Sequence, residues 1–505
     1  MWQVRACGGK SMQVGASHGE LSELGVSESK ARGGRVSNAA QKLSDIAARE
    51  VALPLPAYRD FIRNKSQMDA GDGFEPVFMP DFLFDFQKLL TEWAVRTGRA
   101  AMFADCGMGK TAMQLVWAEN VVRKTNKPVL VLAPLSVSMQ TLEEAEKFGI
   151  DTVRSMTGKI SGTRIVLTNY ERLHHFNHSD FAGVVCDESS IIKNFDGARK
   201  GEITEFMKKV RYRLLCTATA APNDYIEFGT SSEALGYLGF MDMLGTFFKN
   251  DEDSLHPAFI GSKWRFKRHA EQRFWRWTAS WARACRKPSD LGFDDGKFIL
   301  PSLTVREHVV DSPSRDGDLF NVPAVSLLEQ REDTRITIDA RCAKAAELLR
   351  DAPSGIAWCH LNKEADTLAK MISGAVQIGG SDDDDRKEEV FSAFRKGQIR
   401  VICTKPKIAA FGMNWQHCSH MTYFPTHSFE QYYQAVRRCW RFGQTKPVMV
   451  DAITTTSQSG VMGNLKRKAD ACDAMFGELV GEMNNAVKIA RMTTFNKTQE
   501  VPGWL

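Results

Sequence analysis

Eight residues constrain this chain more than any others: Ala104-Asp105-Cys106-Gly107-Met108-Gly109-Lys110-Thr111. They follow the apolar run AAMF and open TAMQLVWAENVV, which is amphipathic at helical spacing. A strand that passes through closely spaced glycines into a helix is a loop shaped for an anion, because backbone N–H groups and the helix N-terminus converge there. In that setting Gly107, Met108 and Gly109 wrap phosphate oxygens, Lys110 reaches the outer phosphates, and the Thr111 hydroxyl is placed for Mg2+. The general pattern has Gly at its first position, where this chain has Ala104.

The loop sits in a regular context. Apolar runs at 100–104, 129–133, 164–168, 183–187 and 212–217 alternate with helix-length polar segments. The alternation resumes at 355–360, 375–379, 400–404, 420–424 and 448–453. Strands alternating with helices predict parallel α/β sheets, here in two blocks. At 505 residues, 43% hydrophobic and 25% charged, the chain has ample material for two such cores. No stretch approaches the ~18 apolar residues of a membrane span, and the first residues lack a secretory signal's apolar core. Eleven scattered cysteines without a CxxC pair read as reduced thiols of a cytosolic protein.

The expected organisation is a glycine-rich leader or arm over 1–50, a first lobe over 51–230, a helical insertion and linker over 231–330, a second lobe over 331–457, and a C-terminal helix and tail over 458–505. The apolar stripe from Val461 to Leu479 predicts a helix packed on the second lobe. Net charge is only +5, yet residues 263–287 hold nine basic residues against one acid, with four tryptophans interleaved. Basic side chains among aromatics suit phosphate contact plus base stacking, and Trp275 and Arg276 are the candidates. The plainer reading buries Phe274, Trp277 and Trp281 and leaves the arginines in solvent.

Three further strings carry chemistry. Asp187 and Glu188 follow the strand GVVC, at the end where parallel sheets collect ligands. Asp187 is placed to hold Mg2+ and Glu188 to orient or deprotonate water. Thr217 and Thr219 end the next strand, where small hydroxyls can couple the acid pair to a moving partner. In QAVRRCWRFGQ, Gln434, Arg438 and Arg441 share one helical face, suited to reach a γ-phosphate from a second lobe.

Read in order, these strings resemble the helicase-like ATPases of superfamily 2, and within it the Swi/Snf-type DNA translocases, over about 86–453. Compact bacteriophage and prophage proteins of that group are the most similar in segments such as GRAAMFADCGMGKT. The resemblance implies two RecA-like parallel-sheet lobes in tandem that close on Mg-ATP. Phe86 and Gln87 resemble the adenine-reading motif. Pro134, Ser136, Thr168 and Asn169 resemble first-lobe contacts to a nucleic-acid backbone. His360, Thr404 and Lys407 fall where second-lobe contacts are expected, and Gly412 lies in the fifth motif beside the nucleotide. Gln434, Arg438 and Arg441 fit the sixth motif, the two arginines in finger positions.

Ser190 stands where the second motif usually has His, Cys106 where the first often has Thr or Glu, and Ala410 where the fifth commonly has Gly. No catalytic group is lost. The expectation is a monomeric, cytoplasmic, ATP- and Mg2+-dependent translocase on duplex DNA, RNA being less favoured, working in a phage-infected or prophage-carrying bacterium. A strand-separating DNA or RNA helicase is the alternative enzyme. A nucleic-acid-binding scaffold, or a nucleotide switch serving a nuclease or methyltransferase partner, is the alternative of another class.

Overall fold

A computed structural model of the chain describes residues 72–495, apart from 161–163, 194–196, 222–223, 251–263, 312–326, 410–412 and 459. The expected leader and Gly412 lie outside the described residues.

The first lobe starts with α1 (Asp85–Thr97), β1 (Arg99–Ala104) and α2 (Lys110–Thr125), continuing through β2 (Val129–Ala133), α3 (Leu135–Lys147), β3 (Thr152–Arg154) and β4 (Ile165–Asn169). Next come β5 (Gly183–Asp187), α4 (Ala198–Lys208), β6 (Tyr212–Cys216), α5 (Phe228–Leu235) and α6 (Phe240–Phe247). A small antiparallel pair, β7 (Phe248–Asn250) and β8 (Trp264–Phe266), precedes α7 (Glu271–Trp281) and β9 (Ala282–Cys285). Seven parallel strands lie in the order β3-β4-β2-β5-β6-β1-β9. Strands β2, β4, β5 and β6 are buried along their whole lengths, as a parallel sheet covered on both faces requires. Alternate residues feed opposite cores: Phe103, Leu132, Val184 and Leu215 on one face, Met102, Val131, Val185 and Leu214 on the other.

The second lobe holds β10 (Leu303–Val310), α8 (Leu327–Ile336), α9 (Ile338–Leu348), β11 (Gly355–Trp358), α10 (Asn362–Met371) and β12 (Ala375–Ile378). It continues with α11 (Asp384–Arg395), β13 (Val401–Thr404), α12 (Pro406–Ala409), β14 (His420–Tyr423), α13 (Phe429–Val436) and β15 (Val448–Thr455). Its strands are parallel in the order β10-β15-β14-β11-β13-β12. Asp451 of β15 is fully buried and ties three strands together. It accepts from Arg306 at 2.7 and 2.9 Å and meets His308 at 2.8 Å and His420 at 2.7 Å. Burial alone raises its pKa, but these partners outweigh burial and hold it at about 2.

Two expectations need correction. The segment between the blocks is not a separate insertion, for β9 completes the first sheet beside β1 and β10 edges the second beside β15. Within it, Trp275, Trp277 and Trp281 are buried in the first lobe's core. Trp275 is 1% exposed, enclosed by Tyr225, Phe228 and Phe274, and offers no ring face for a base. Arg276, the next residue of the helix, is exposed and pairs with Glu482 at 3.5 Å.

The second correction concerns α14 (Gly460–Phe495), which leaves the second lobe and lies on the first. Leu465, Cys472, Met475, Phe476, Leu479 and Met483 join the same core as Phe274 and Trp281. A single helix therefore straps the end of one lobe onto the other.

Candidate nucleotide pocket and nucleic-acid groove

The sheet order sets the site. Because β6 lies between β5 and β1, the chain ends leaving β1, β5 and β6 converge at the carboxyl edge of the sheet. Gly107, Gly109, Lys110 and Thr111 border a pocket of about 190 Å3 there, with Asp187 and Glu188 on one side. Asn414, Gln416, Arg438, Arg441 and Phe442 close it from the second lobe. Gly107 and Gly109 have φ of +89° and +80°, a region glycine enters without steric cost. Each glycine also meets a close neighbour: a Cβ would lie 2.7 Å from Phe442 N at Gly107 and 2.2 Å from Gln87 Nε2 at Gly109.

Lys110 folds back over its own loop, donating to the carbonyls of Ala104 at 3.0 Å and Asp105 at 3.4 Å. Those bonds are the ones a phosphate would replace. Asp187 accepts from Gln114 Nε2 at 2.7 Å, and the Tyr170 hydroxyl donates to its backbone carbonyl. Burial, followed by the charge of adjacent Glu188, pushes the Asp187 carboxyl up to about 6. Two buried acids side by side, with the Thr111 hydroxyl on the same pocket, form a donor set that suits a divalent cation. Glu188 has φ of +54°, a conformation costing a non-glycine residue roughly 1–3 kcal/mol and concentrated at functional sites. Thr217 Oγ1 donates to Glu188 Oε2 at 3.3 Å and lies 3.4 Å from Thr219 Oγ1, so both threonines join the acid's network.

The arginines differ in role. Arg438 and Arg441 border the pocket, both donating to Met413 O, at 3.1 and 3.2 Å. Burial and the charge of Arg438 lower the Arg441 pKa to about 10, which leaves it charged at neutral pH. Gln434, expected in a catalytic role, is fully buried and does not border the pocket. Its Oε1 accepts from Arg438 Nη2 at 2.7 Å, which makes it a positioning residue for that arginine.

Phe86 and Gln87 lie in the first turn of α1. Phe86 is 2% exposed within the core, whereas Phe84 is 43% exposed, two positions earlier. Phe84 packs edge-on against Phe298 at 5.1 Å, and Phe298 stacks on Phe442 at 4.5 Å, so three aromatics span the lobes. Gln87 bonds Met108 O at 2.9 Å and accepts from Phe84 N at 3.0 Å; it braces the loop, as Met108 is buried beneath it. Phe442 had a visible signal in its place between Arg441 and Gly443; Phe298 had none.

A larger groove of about 700 Å3 adjoins this pocket and shares Glu188 with it. Pro134, Asn169 and Lys407, named above as candidate nucleic-acid contacts, line it together with Arg172, Ser190 and Lys193. Lys193 forms an ion pair across the lobes with Glu430. Other expected contacts do not reach the groove. Thr168 is fully buried, and so is Thr404, whose hydroxyl donates to Ile378 O at 3.1 Å. His360 packs edge-on to Tyr423 at 5.8 Å, and burial lowers its pKa to about 4, so it is neutral. The Ser136 side chain lies outside the described residues.

The chain is similar to known proteins over parts of its length. The DEAD/DEAH box helicase family matches residues 85–228, and the helicase conserved C-terminal domain matches residues 342–443. The mouse (Mus musculus) DNA annealing helicase and endonuclease ZRANB3 is 30% identical over 180 residues, 31% of this chain and 17% of that protein. Putative protein p41 of Acyrthosiphon pisum secondary endosymbiont phage 1 is 26% identical over 167 residues, 28% of this chain and 36% of that protein. The matched stretches thus span well under half the length of either relative. The Sulfolobus solfataricus SWI2/SNF2 ATPase core in complex with dsDNA covers 76% of this chain and 89% of its own, at 16% identity and a TM-score of 0.38. Two parallel-sheet lobes, with a helicase domain matched to each, and similarity over part of the chain to a helicase and to a phage protein identify a helicase-like protein.

Proposed function

We propose that the chain is a DNA-stimulated ATPase that couples ATP hydrolysis to movement along duplex DNA without separating the strands. The observation that carries this reading is the position of Glu188, on the wall of both the nucleotide pocket and the groove. A residue placed there responds to both ligands. ATP is held by the loop around Gly107 and Gly109, with Lys110 on the phosphates. Thr111 and Asp187 would hold Mg2+, which neutralises charge on the phosphate oxygens. Glu188 orients and deprotonates the attacking water, while Arg438 and Arg441 supply positive charge from the second lobe.

Movement follows from the groove being built by both lobes. Pro134 and Asn169 belong to the first lobe and Lys407 to the second, so closure and reopening change the distance between two grips on one backbone. Contacts of this type are sequence-independent and weaken with salt. The exposed basic face of α7, including Arg276, remains a candidate further contact to the phosphate backbone. No described helix is long and apolar enough to cross a membrane; the site of action proposed is the bacterial cytoplasm, in the phage setting of the p41 relative.

The test is displacement of a third strand from a DNA triplex, set beside unwinding of a matched fork. Triplex displacement that requires ATP, without fork unwinding, is expected. Efficient fork unwinding would favour a strand-separating helicase and overturn the proposal.

A further inference from the structure

The phosphate loop contains an acid that phosphate binding does not call for. Asp105 is 6% exposed and lies two residues ahead of Gly107, next to a pocket suited to a polyanion. A buried carboxylate is costly unless it is paired and hydrogen-bonded. Its partners come from the other lobe: Arg437 Nη2 pairs with Oδ2, and the Tyr433 hydroxyl donates to Oδ1. The same Oδ1 accepts the Cys106 N–H at 2.6 Å, which fixes the carboxylate to its own loop.

Arg437 is equally committed. It is 4% exposed, donates to Trp440 O at 3.1 Å, and has the Trp440 ring 4.9 Å from its guanidinium carbon. Two neighbouring arginines of one helix end thus meet two neighbouring residues of the loop. Arg438, which borders the pocket, donates to Cys106 Sγ at 3.6 Å, while Arg437 pairs with Asp105 and stays off the pocket wall.

We propose that Asp105 and Arg437 form an electrostatic latch that makes nucleotide affinity depend on lobe closure. With the lobes together, Arg437 neutralises Asp105, and the loop offers the phosphates only N–H groups and Lys110. With the lobes apart, Asp105 is an uncompensated negative charge beside the phosphate site and repels a triphosphate. ATP binding and closure therefore favour each other, since a ligand shifts an equilibrium only through differential affinity for the two states. Arg437 is in this account a positioning residue, distinct from the two arginines on the pocket wall. The latch rests on the reading of the pocket as an ATP site.

The experiment is a double-mutant cycle on the full chain, read by equilibrium binding of a fluorescent ATP analogue. Arg437→Gln is expected to weaken binding roughly tenfold, Asp105→Asn to stay within about threefold of the parent, and the double variant to return to about that level. In ATP turnover, Arg437→Gln is expected to raise KM more than it lowers kcat. Additive effects, or a failure of Asp105→Asn to rescue Arg437→Gln, would overturn the latch. Should Arg437→Gln not fold, Asp105→Asn carries the test alone through energy transfer between dyes on the two lobes. Its nucleotide-induced change is expected to fall by at least about half, and an unchanged response overturns the latch. Lys110→Ala separates the two claims. If it binds the analogue as tightly as the parent, the ATP-site reading fails and the latch with it; if it loses binding while the cycle is additive, only the latch fails.

Discussion

Replacing Trp275 with Ala separates a core tryptophan from a DNA-stacking one. The side chain is 1% exposed and packs against Phe274 at 5.0 Å, Tyr225 at 5.3 Å and Phe228 at 6.0 Å. Truncating a buried Trp to Ala costs about 3–5 kcal/mol, transfer and cavity terms together. Among the described residues the indole Nε1 has no hydrogen-bond partner, so removing it returns about 1 kcal/mol of desolvation cost. The expected net loss is about 3 kcal/mol. For a lobe of this size that lowers the unfolding midpoint by roughly 6–12 °C. Thermal unfolding checks that figure. Duplex affinity, measured by fluorescence anisotropy well below the midpoint, is expected to change by less than about twofold. A stacking residue would behave oppositely, losing about 1–3 kcal/mol of DNA binding with little change in stability. That outcome would refute the packing argument.

Two other substitutions probe the architecture. Asp451→Asn removes the charge that Arg306, His308 and His420 share. Because the folded carboxyl titrates near 2 and an unfolded one near 3.9, its stabilisation is present above pH ~4 and is lost as pH falls towards 2. The variant is expected to unfold about 2 kcal/mol more easily at pH 7, a deficit that shrinks below pH 4, as denaturant titrations at several pH values will report. Leu479→Ala, in the strap helix, is expected to cost about 2–5 kcal/mol and to speed hydrogen exchange in α7 and β9, while β11, β13 and β14 keep their protection.

What the sequence disclosed follows a physical line. Strands covered on both faces must be apolar throughout, so VLVLA and GVVCD were readable as elements with their bounds unchanged. The loop, the acid pair and the threonine pair were readable because each is a short local string at a strand end. Contacts made across the chain were not. Asp105 and Arg437 meet over 332 positions, and neither string alone predicts the other. The phase of a side chain at a strand end was equally hidden. Asn169 borders the groove, yet Thr168, one residue earlier, points into the core because strand neighbours face opposite ways. At the start of α1, Phe86 turns into the core while Phe84, at the helix N-cap, stays exposed, a difference that the string alone does not give. Strand β10 was missed because its residues are largely exposed, without the apolar run that marks an inner strand. The apolar stripe of α14 was visible, but a stripe does not say which lobe it covers.

The central claim is that one carboxylate, placed between the two cavities, links DNA binding to ATP hydrolysis. The most direct measurement is steady-state ATP turnover of the parent and of Glu188→Gln, with and without duplex DNA, alongside binding of the fluorescent ATP analogue. Duplex DNA is expected to stimulate the parent, while Glu188→Gln lowers kcat by about 10²–10⁴ and leaves analogue binding within a few-fold. A variant that hydrolyses ATP as fast as the parent, with the same response to DNA, would contradict the account.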